Sequence, residues 1–183
     1  MESEHNSISI SILKVSHVNS LSDEDFIITF GNLVENCPLV AAAVVRSRPF
    51  NSLKHLHAEI CSFIDKLPVK GREGILRGFS IIGLPSSRQT EESRQEMKDS
   101  GISEFIENQR SKLSSLNKSY CLKFGFPFVI CTRLNKKEAI LQGLSRRLYN
   151  SPEEELHTGI EEVKKIALLR LKNLVSEDMD KKL

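Results

Sequence analysis

The chain has 183 residues and a mass of 20.7 kDa, with 39% hydrophobic and 27% charged residues. Those proportions suit a single domain with a real core and exclude disorder or a low-complexity chain. Lys plus Arg number 26 against 24 Asp plus Glu, for a formal net charge of +2, a balance that argues against the concentrated basic face of a nucleic-acid binder.

Residues 1–17 read as a frayed N-terminal arm. Its ISISIL stretch alternates like a strand, but no partner strand is evident in the sequence. Residues 18–178 read as the domain and 179–183 as a tail. Ser20 or Ser22, followed by Asp23, Glu24 and Asp25, predicts a helix start. Phe26, Ile27, Phe30, Leu33 and Val34 then recur on one helical face. Cys37-Pro38 ends that helix and opens a tightly packed one through the small apolar residues 41–45. Ser52 caps a long helix whose inward stripe is Leu53, Leu56, Ile60, Phe63, Ile64 and Leu67, ended by Pro68 and Gly71. Gly71, Gly74, Gly78, Gly83 and Pro85 make residues 71–90 a predicted loop, with one helical turn at 73–77. Thr90 caps a short helix. Ser103 opens another, with Phe105, Ile106, Leu113 and Leu116 inward. Gly125 and Pro127 force FGFPFVIC into an extended apolar segment. Residues 134–149 and 152–175 form the last two helices. Ser151-Pro152-Glu153-Glu154 gives the second of these a strong start, and its buried stripe is Leu156, Ile160, Val163, Ala167, Leu171 and Leu174. The sum is an all-α single-domain helical bundle with one extended apolar segment.

Generic catalytic signatures are absent: no GxGxxG, P-loop, HExxH or GxSxG occurs. The apolar runs fall short of the roughly 18 residues of a membrane span, and the acidic start does not resemble a signal peptide. Cys37, Cys61, Cys121 and Cys131 have no CxxC spacing and read as reduced thiols. His55 and His57 lie two apart on a helix, poor geometry for one metal. No metal site is therefore expected.

Two features invite a ligand. An extended apolar segment inside a bundle leaves backbone N–H and C=O groups without intrahelical partners. Either neighbouring helices or a planar, amide-rich ligand can satisfy them. Ser93 and Glu96, three apart on one face, can bind a polar ligand or simply form a solvated face.

Five stretches together carry a resemblance: FGNLVENCPLVAAAV, RSRPF, GREGILR, LNKSYCLKFGFPFVIC and EEVKKIALLRL. They resemble the 2-oxo-4-hydroxy-4-carboxy-5-ureidoimidazoline (OHCU) decarboxylases, from Val18 to the C-terminus. The resemblance implies an all-helical, cofactor-free homodimer that converts an unstable product of urate oxidation into (S)-allantoin. It places a substrate-binding S-x-x-E-Q stretch on Ser93-Arg94-Gln95-Glu96-Met97, where Met97 replaces the glutamine and cannot donate an amide hydrogen bond. It places a second, partly backbone, stretch on Phe128, Val129, Ile130, Cys131 and Thr132, and a site arginine on Arg170. Ser80 completes the expected binding set. The implied partners are the ureidoimidazoline substrate and allantoin, with no nucleic acid and no membrane.

One departure is large. After GILR the family reads CHPDLAG, whose histidine is its proposed catalytic group, whereas this chain reads RGFSIIG, with Phe79 nearest that histidine. Glu96 is then the expected catalytic residue, and turnover is expected to be poor. A ureide-binding protein without turnover is the alternative. The end of the chain, Lys181-Lys182-Leu183, resembles the peroxisomal S-K-L address, so import into peroxisomes is expected, with a cytoplasmic location as the alternative.

Overall fold

Four of the longer helices begin where a side-chain oxygen takes an orphan backbone N–H. In the computed structural model, which describes residues 12–178, Ser22 accepts from Asp25, Ser52 from His55, Thr90 from Ser93 and Ser151 from Glu154. Expectations about residues 1–11 and the C-terminal Lys181-Lys182-Leu183 lie outside the described residues.

In chain order the elements are β1 (Leu13–Lys14), α1 (Val15–Ser20), α2 (Asp23–Phe30), α3 (Leu39–Val44), α4 (Leu53–Lys66) and α5 (Val69–Arg77). They continue with α6 (Glu91–Asp99), α7 (Glu107–Phe124), α8 (Lys137–Arg147), α9 (Pro152–Leu174) and β2 (Val175–Ser176). Short 3₁₀ turns follow α3, α6 and the FGFPFVIC segment. The architecture is a helical bundle, as expected. Helix α9 is its axis: α4 and α5 pack on it, while α2 and α3 build one flank and α7 and α8 the other. All but one of its six expected inward residues are buried, Leu174 being partly so.

Three expectations change. Residues 12–17 are not a loose arm. Leu13 and Lys14 pair in parallel with Val175 and Ser176, and Val15 and Val18 enter the core. Asp178 accepts from the Ser16 amide at 2.9 Å and its hydroxyl at 2.7 Å, closing this pairing. Second, residues 69–77 form a full helix, despite Gly71 and Gly74, because Ile75 and Leu76 bury against α9. Leu76 meets α9 where Gly159 lacks a side chain, and an added Cβ there would lie 3.0 Å from it. Third, Ile106 is 66% exposed because it caps α7 from outside, and Phe105 takes the inward position.

The extended FGFPFVIC segment is present. Gly125 ends α7 in the left-handed region at φ 75°, which frees the chain to turn back beneath α9. Phe124, Phe126 and Phe128 gather around Tyr120. Residues 41–45 supply Ala41, Val44 and Val45 to the core.

Candidate functional site

Helix α9 carries Arg170 to the centre of the bundle, where its side chain is 4% exposed. A buried guanidinium needs fixed acceptors, and this one has them. Its Nε and Nη2 donate to the two carboxylate oxygens of Glu96 at 2.9 and 2.8 Å. Its Nη1 donates to the Asn32 carbonyl at 3.0 Å, and Glu35 lies 3.5 Å from Nη2. Burial opposes the charge on Arg170, but Glu96, Glu35 and Glu92 outweigh it and raise its pKa.

Around this cluster lies a small cavity. Its walls include Phe79, Ser80, Ser93, Glu96, Met97 and, from the extended segment, Phe128, Val129, Ile130 and Thr132. Ser93 sits one turn before Glu96 on α6, and its hydroxyl has no hydrogen-bond partner among the described residues. Thr132 ties α6 to the strand by donating its hydroxyl to the Glu96 carbonyl at 3.3 Å.

The strand is held from behind. Arg147 donates to the Val129 carbonyl at 2.7 Å and lies over the Phe128 ring. Glu155, fully buried, accepts from Arg147 Nε at 2.7 Å, from Asn150 at 2.8 Å and from the Tyr120 hydroxyl. The Cys131 amide donates to Glu162 at 2.8 Å. The N–H groups of Phe128, Val129, Ile130 and Thr132 have no partner among the described residues. The extended segment therefore combines both possibilities the sequence left open: some of its backbone is tied to neighbouring helices and some is free.

The expected site residues divide accordingly. Ser80, Ser93, Glu96, Met97, Phe128, Val129, Ile130, Thr132 and Arg170 converge on the cavity. Three expected residues stay out of it. Arg94 faces solvent, donating to Glu91 and the Gln89 carbonyl, and Gln95 donates to Asp99. Both point away because a helix turns about 100° per residue from Ser93 to Glu96. Cys131 faces the opposite side of the strand, where burial and the nearby Glu162 charge push its thiol pKa up. Met97 lines the cavity, with its sulfur 3.4 Å from the Gly83 amide. Phe79 lines it too, 9% exposed. None of the four described histidines does. His57 binds the Lys164 carbonyl, His55 lies beside Glu59, and His17 and His157 are exposed.

The sequence reading missed Glu35. It is 2% exposed and lies beside Arg170, and it accepts from the Ser80 hydroxyl at 2.8 Å and the Ser80 amide at 3.3 Å. Its position in FGNLVENCP, an acid one residue after a buried apolar pair, was the only available signal.

Comparison with known proteins shows the family. Residues 19–172 match the family described as OHCU decarboxylase. Curated relatives named 2-oxo-4-hydroxy-4-carboxy-5-ureidoimidazoline decarboxylase include one from Amia calva, 46% identical over 89% of this chain and 95% of its own length. Another, from Xenopus laevis, is 42% identical over 88% of this chain and 94% of its own length. Among solved structures, an OHCU decarboxylase crystallised in the presence of (S)-allantoin superposes with a TM-score of 0.63. It covers 84% of this chain and 98% of its own, at 21% identity. An (S)-allantoin synthase reaches a TM-score of 0.72 at 22% identity, over 89% of this chain and 54% of that longer one. At these identities the two structures speak to the fold.

Proposed function

The chain belongs to the OHCU decarboxylase family, and we propose that it removes carbon dioxide from 2-oxo-4-hydroxy-4-carboxy-5-ureidoimidazoline to give (S)-allantoin, a step of urate degradation. The observation that carries this reading is the convergence on one cavity of Arg170, Glu96, Ser93 and an extended segment whose backbone N–H groups are largely unpartnered among the described residues. That set matches a ligand with one carboxylate, several carbonyl oxygens and a ureido group.

The chemistry needs no cofactor. The carboxylate leaves as carbon dioxide, and the bonding electrons pass into the conjugated imidazolone as an enolate-like anion. Arg170 receives the substrate carboxylate by a charge-assisted fork. Glu96 turns to accept from the ureido N–H groups. The Ile130 and Thr132 amides stabilise the oxygen on which charge develops. A proton then has to reach one face of the ring carbon.

Glu96 fills the Arg170 fork in the ligand-free structure, so a substrate carboxylate reaches Arg170 by parting a wall. Helix α6 is the wall that yields, because none of its residues is buried. It is held mainly by the Glu96–Arg170 pair, the Thr132 hydroxyl, an Asn32–Glu92 bond and the Met97 contact. A substrate carboxylate that takes over Arg170 loosens the first of these. Binding and opening are thereby one event.

The test is circular dichroism on freshly generated substrate, paired with calorimetry on allantoin. A heat of allantoin binding and an excess of the (S) product over spontaneous decay are expected. Solvent protonates a planar intermediate equally from both faces, so uncatalysed decay gives a racemate. Binding without an (S) excess would identify a ureide-binding protein instead. Neither binding nor excess would remove the reading.

A further inference from the structure

With phenylalanine at position 79 and no described histidine in the cavity, the proton for the ring carbon needs another source. Among the cavity residues, only one hydroxyl is backed by a buried carboxylate. Ser80 lines the cavity, and its Oγ lies 2.8 Å from Glu35 Oε1. The same carboxylate oxygen accepts from the Ser80 amide at 3.3 Å, which fixes the residue's backbone as well as its side chain. Ser93 also lines the cavity, but no acid bonds its hydroxyl.

We infer that Ser80 delivers the proton to the decarboxylated ring and that Glu35 refills it, a hydroxyl–carboxyl relay standing where a histidine would act. The inference rests on the decarboxylase reading above and names the proton donor of that same site.

The short contact between the two oxygens serves in either direction. In the ligand-free structure the Ser80 hydroxyl donates to Glu35. When Glu35 holds a proton, its O–H donates to Ser80 Oγ, and the serine hydrogen turns into the cavity. The step balances simply. The C–C bond to the carboxylate breaks, carbon dioxide leaves, and its electron pair stays on the ring. The serine O–H bond breaks as the new C–H bond forms. Serine oxygen takes the Glu35 proton, and water later returns one to Glu35.

Charge balance supplies that proton on binding. Glu35 is faced by Arg170 from α9 and by the neutral Ser80, and Arg170 in turn feels Glu96 and Glu92 of α6. An incoming carboxylate adds a further negative charge to a cluster whose central cation is Arg170. One proton taken up with the substrate offsets it, and Glu35 is the acid whose bond to Ser80 can use it. Ser80 is the catalytic residue in this scheme, and Glu35 is a positioning residue that acts through it.

Variants Ser80→Ala, Ser80→Thr and Glu35→Gln test the relay by formation of (S)-allantoin. Ser80→Ala should lower kcat by about tenfold or more, within the range typical of a general acid, with KM changed less than about threefold. Ser80→Thr keeps a hydroxyl and should retain most of the rate, which a purely structural serine gives no reason to expect. Glu35→Gln should match Ser80→Ala in kcat, and Ser80→Ala carries the test if the buried substitution at 35 impairs folding. Turnover by Ser80→Ala within about threefold of the parent overturns the relay. So does a parent chain with no (S) excess. In that second case, calorimetric binding of allantoin would leave the ureide pocket standing and remove only the relay.

Discussion

Removing Arg170 is the sharpest test of how the site and the fold depend on each other. Arg170→Ala deletes two bonds to Glu96, one to the Asn32 carbonyl and, among the described residues, the only cation drawn close to Glu35. It leaves Glu35, 2% exposed, facing a second carboxylate with nothing between them. Breaking a buried ion pair by removing one partner costs about 3–5 kcal/mol. Glu96 retains some solvent access, with its side chain 15% exposed, so the lower half of that range applies. A loss of ~3 kcal/mol lowers the melting temperature of a chain this size by about 6–12 °C. Urea unfolding measures it, with the m-value checking that the unfolded state is unchanged. A double-mutant cycle isolates the pair. Arg170→Ala with Glu96→Ala should recover about 1–2 kcal/mol relative to the sum of the single changes. A single-variant loss below ~1 kcal/mol, or additivity of the two, would mean that the fork does not hold α6 against α9. The account of ligand entry would fall with it.

Other expected outcomes follow from single contacts. Burial, the leading cause, pushes the Tyr120 phenol above its ordinary value, and the hydroxyl is held by Glu155. Above pH ~10 the unfolded chain releases this proton and the folded chain keeps it, so stability falls by up to ~1.4 kcal/mol per pH unit. Tyr120→Phe should abolish that share of the slope in alkaline denaturation curves. Gly83 sits at φ 78°, and a Cβ there would lie 2.4 Å from Leu113 Cδ2. Gly83→Ala should therefore cost about 1–3 kcal/mol in thermal unfolding. We propose that Lys181-Lys182-Leu183 directs import into peroxisomes: a fluorescent fusion preserving the tail should appear punctate, and a diffuse cytosolic signal would reject this. We also propose a homodimer. Its interface would use exposed apolar side chains such as Ile28 and Leu39, 73% and 61% exposed, and light scattering should give twice 20.7 kDa.

Much of the fold was legible because it is written locally. Ser22, Ser52, Thr90 and Ser151 each cap a helix within three residues of the amide they bind. The stripe on α9 is likewise a matter of spacing. What was illegible depends on distant partners. The β1–β2 pair joins Leu13 to Val175 through two-residue strands, too short to show a pattern. Helix α5 forms through two glycines because α9 packs on it, a tertiary gain that outweighs poor propensity. The site divides in the same way. Ser93 and Glu96 share a helical face that spacing alone reveals. Glu35 acquires meaning only when Ser80, 45 residues later, and Arg170 fold onto it.

The RGFSIIG loop, expected from the resemblance to stand where the family reads CHPDLAG, can be judged from how it is held. The RGFSIIG sequence gives an imidazole at position 79 none of the polar neighbours of CHPDLAG. The structure gives position 79 firm supports on both sides. Asn36, at φ 53°, donates to the Gly78 carbonyl at 2.9 Å and to the Arg88 carbonyl at 3.0 Å, binding the two ends of the loop together. On the other side Glu35 holds the Ser80 amide. Between these anchors the side chain at 79 is directed into the cavity, as the phenylalanine ring already is. An imidazole placed there inherits that direction without a graft. A histidine near its ordinary pKa is a far better proton donor than a serine hydroxyl. Phe79→His should therefore raise the rate of (S)-allantoin formation by about tenfold or more, toward the 10²–10⁴-fold typical of a general acid. It should also cost about 1–3 kcal/mol of stability through lost apolar burial, so that activity and stability move in opposite directions. The same change in a Ser80→Ala background should restore turnover, since the relay is then bypassed. A Phe79→His variant that still binds allantoin but turns over no faster than the parent would show that direction into the cavity is not enough. The missing residues of the loop would then have to supply the imidazole's partner, and the full CHPDLAG graft would be the variant that regains the rate.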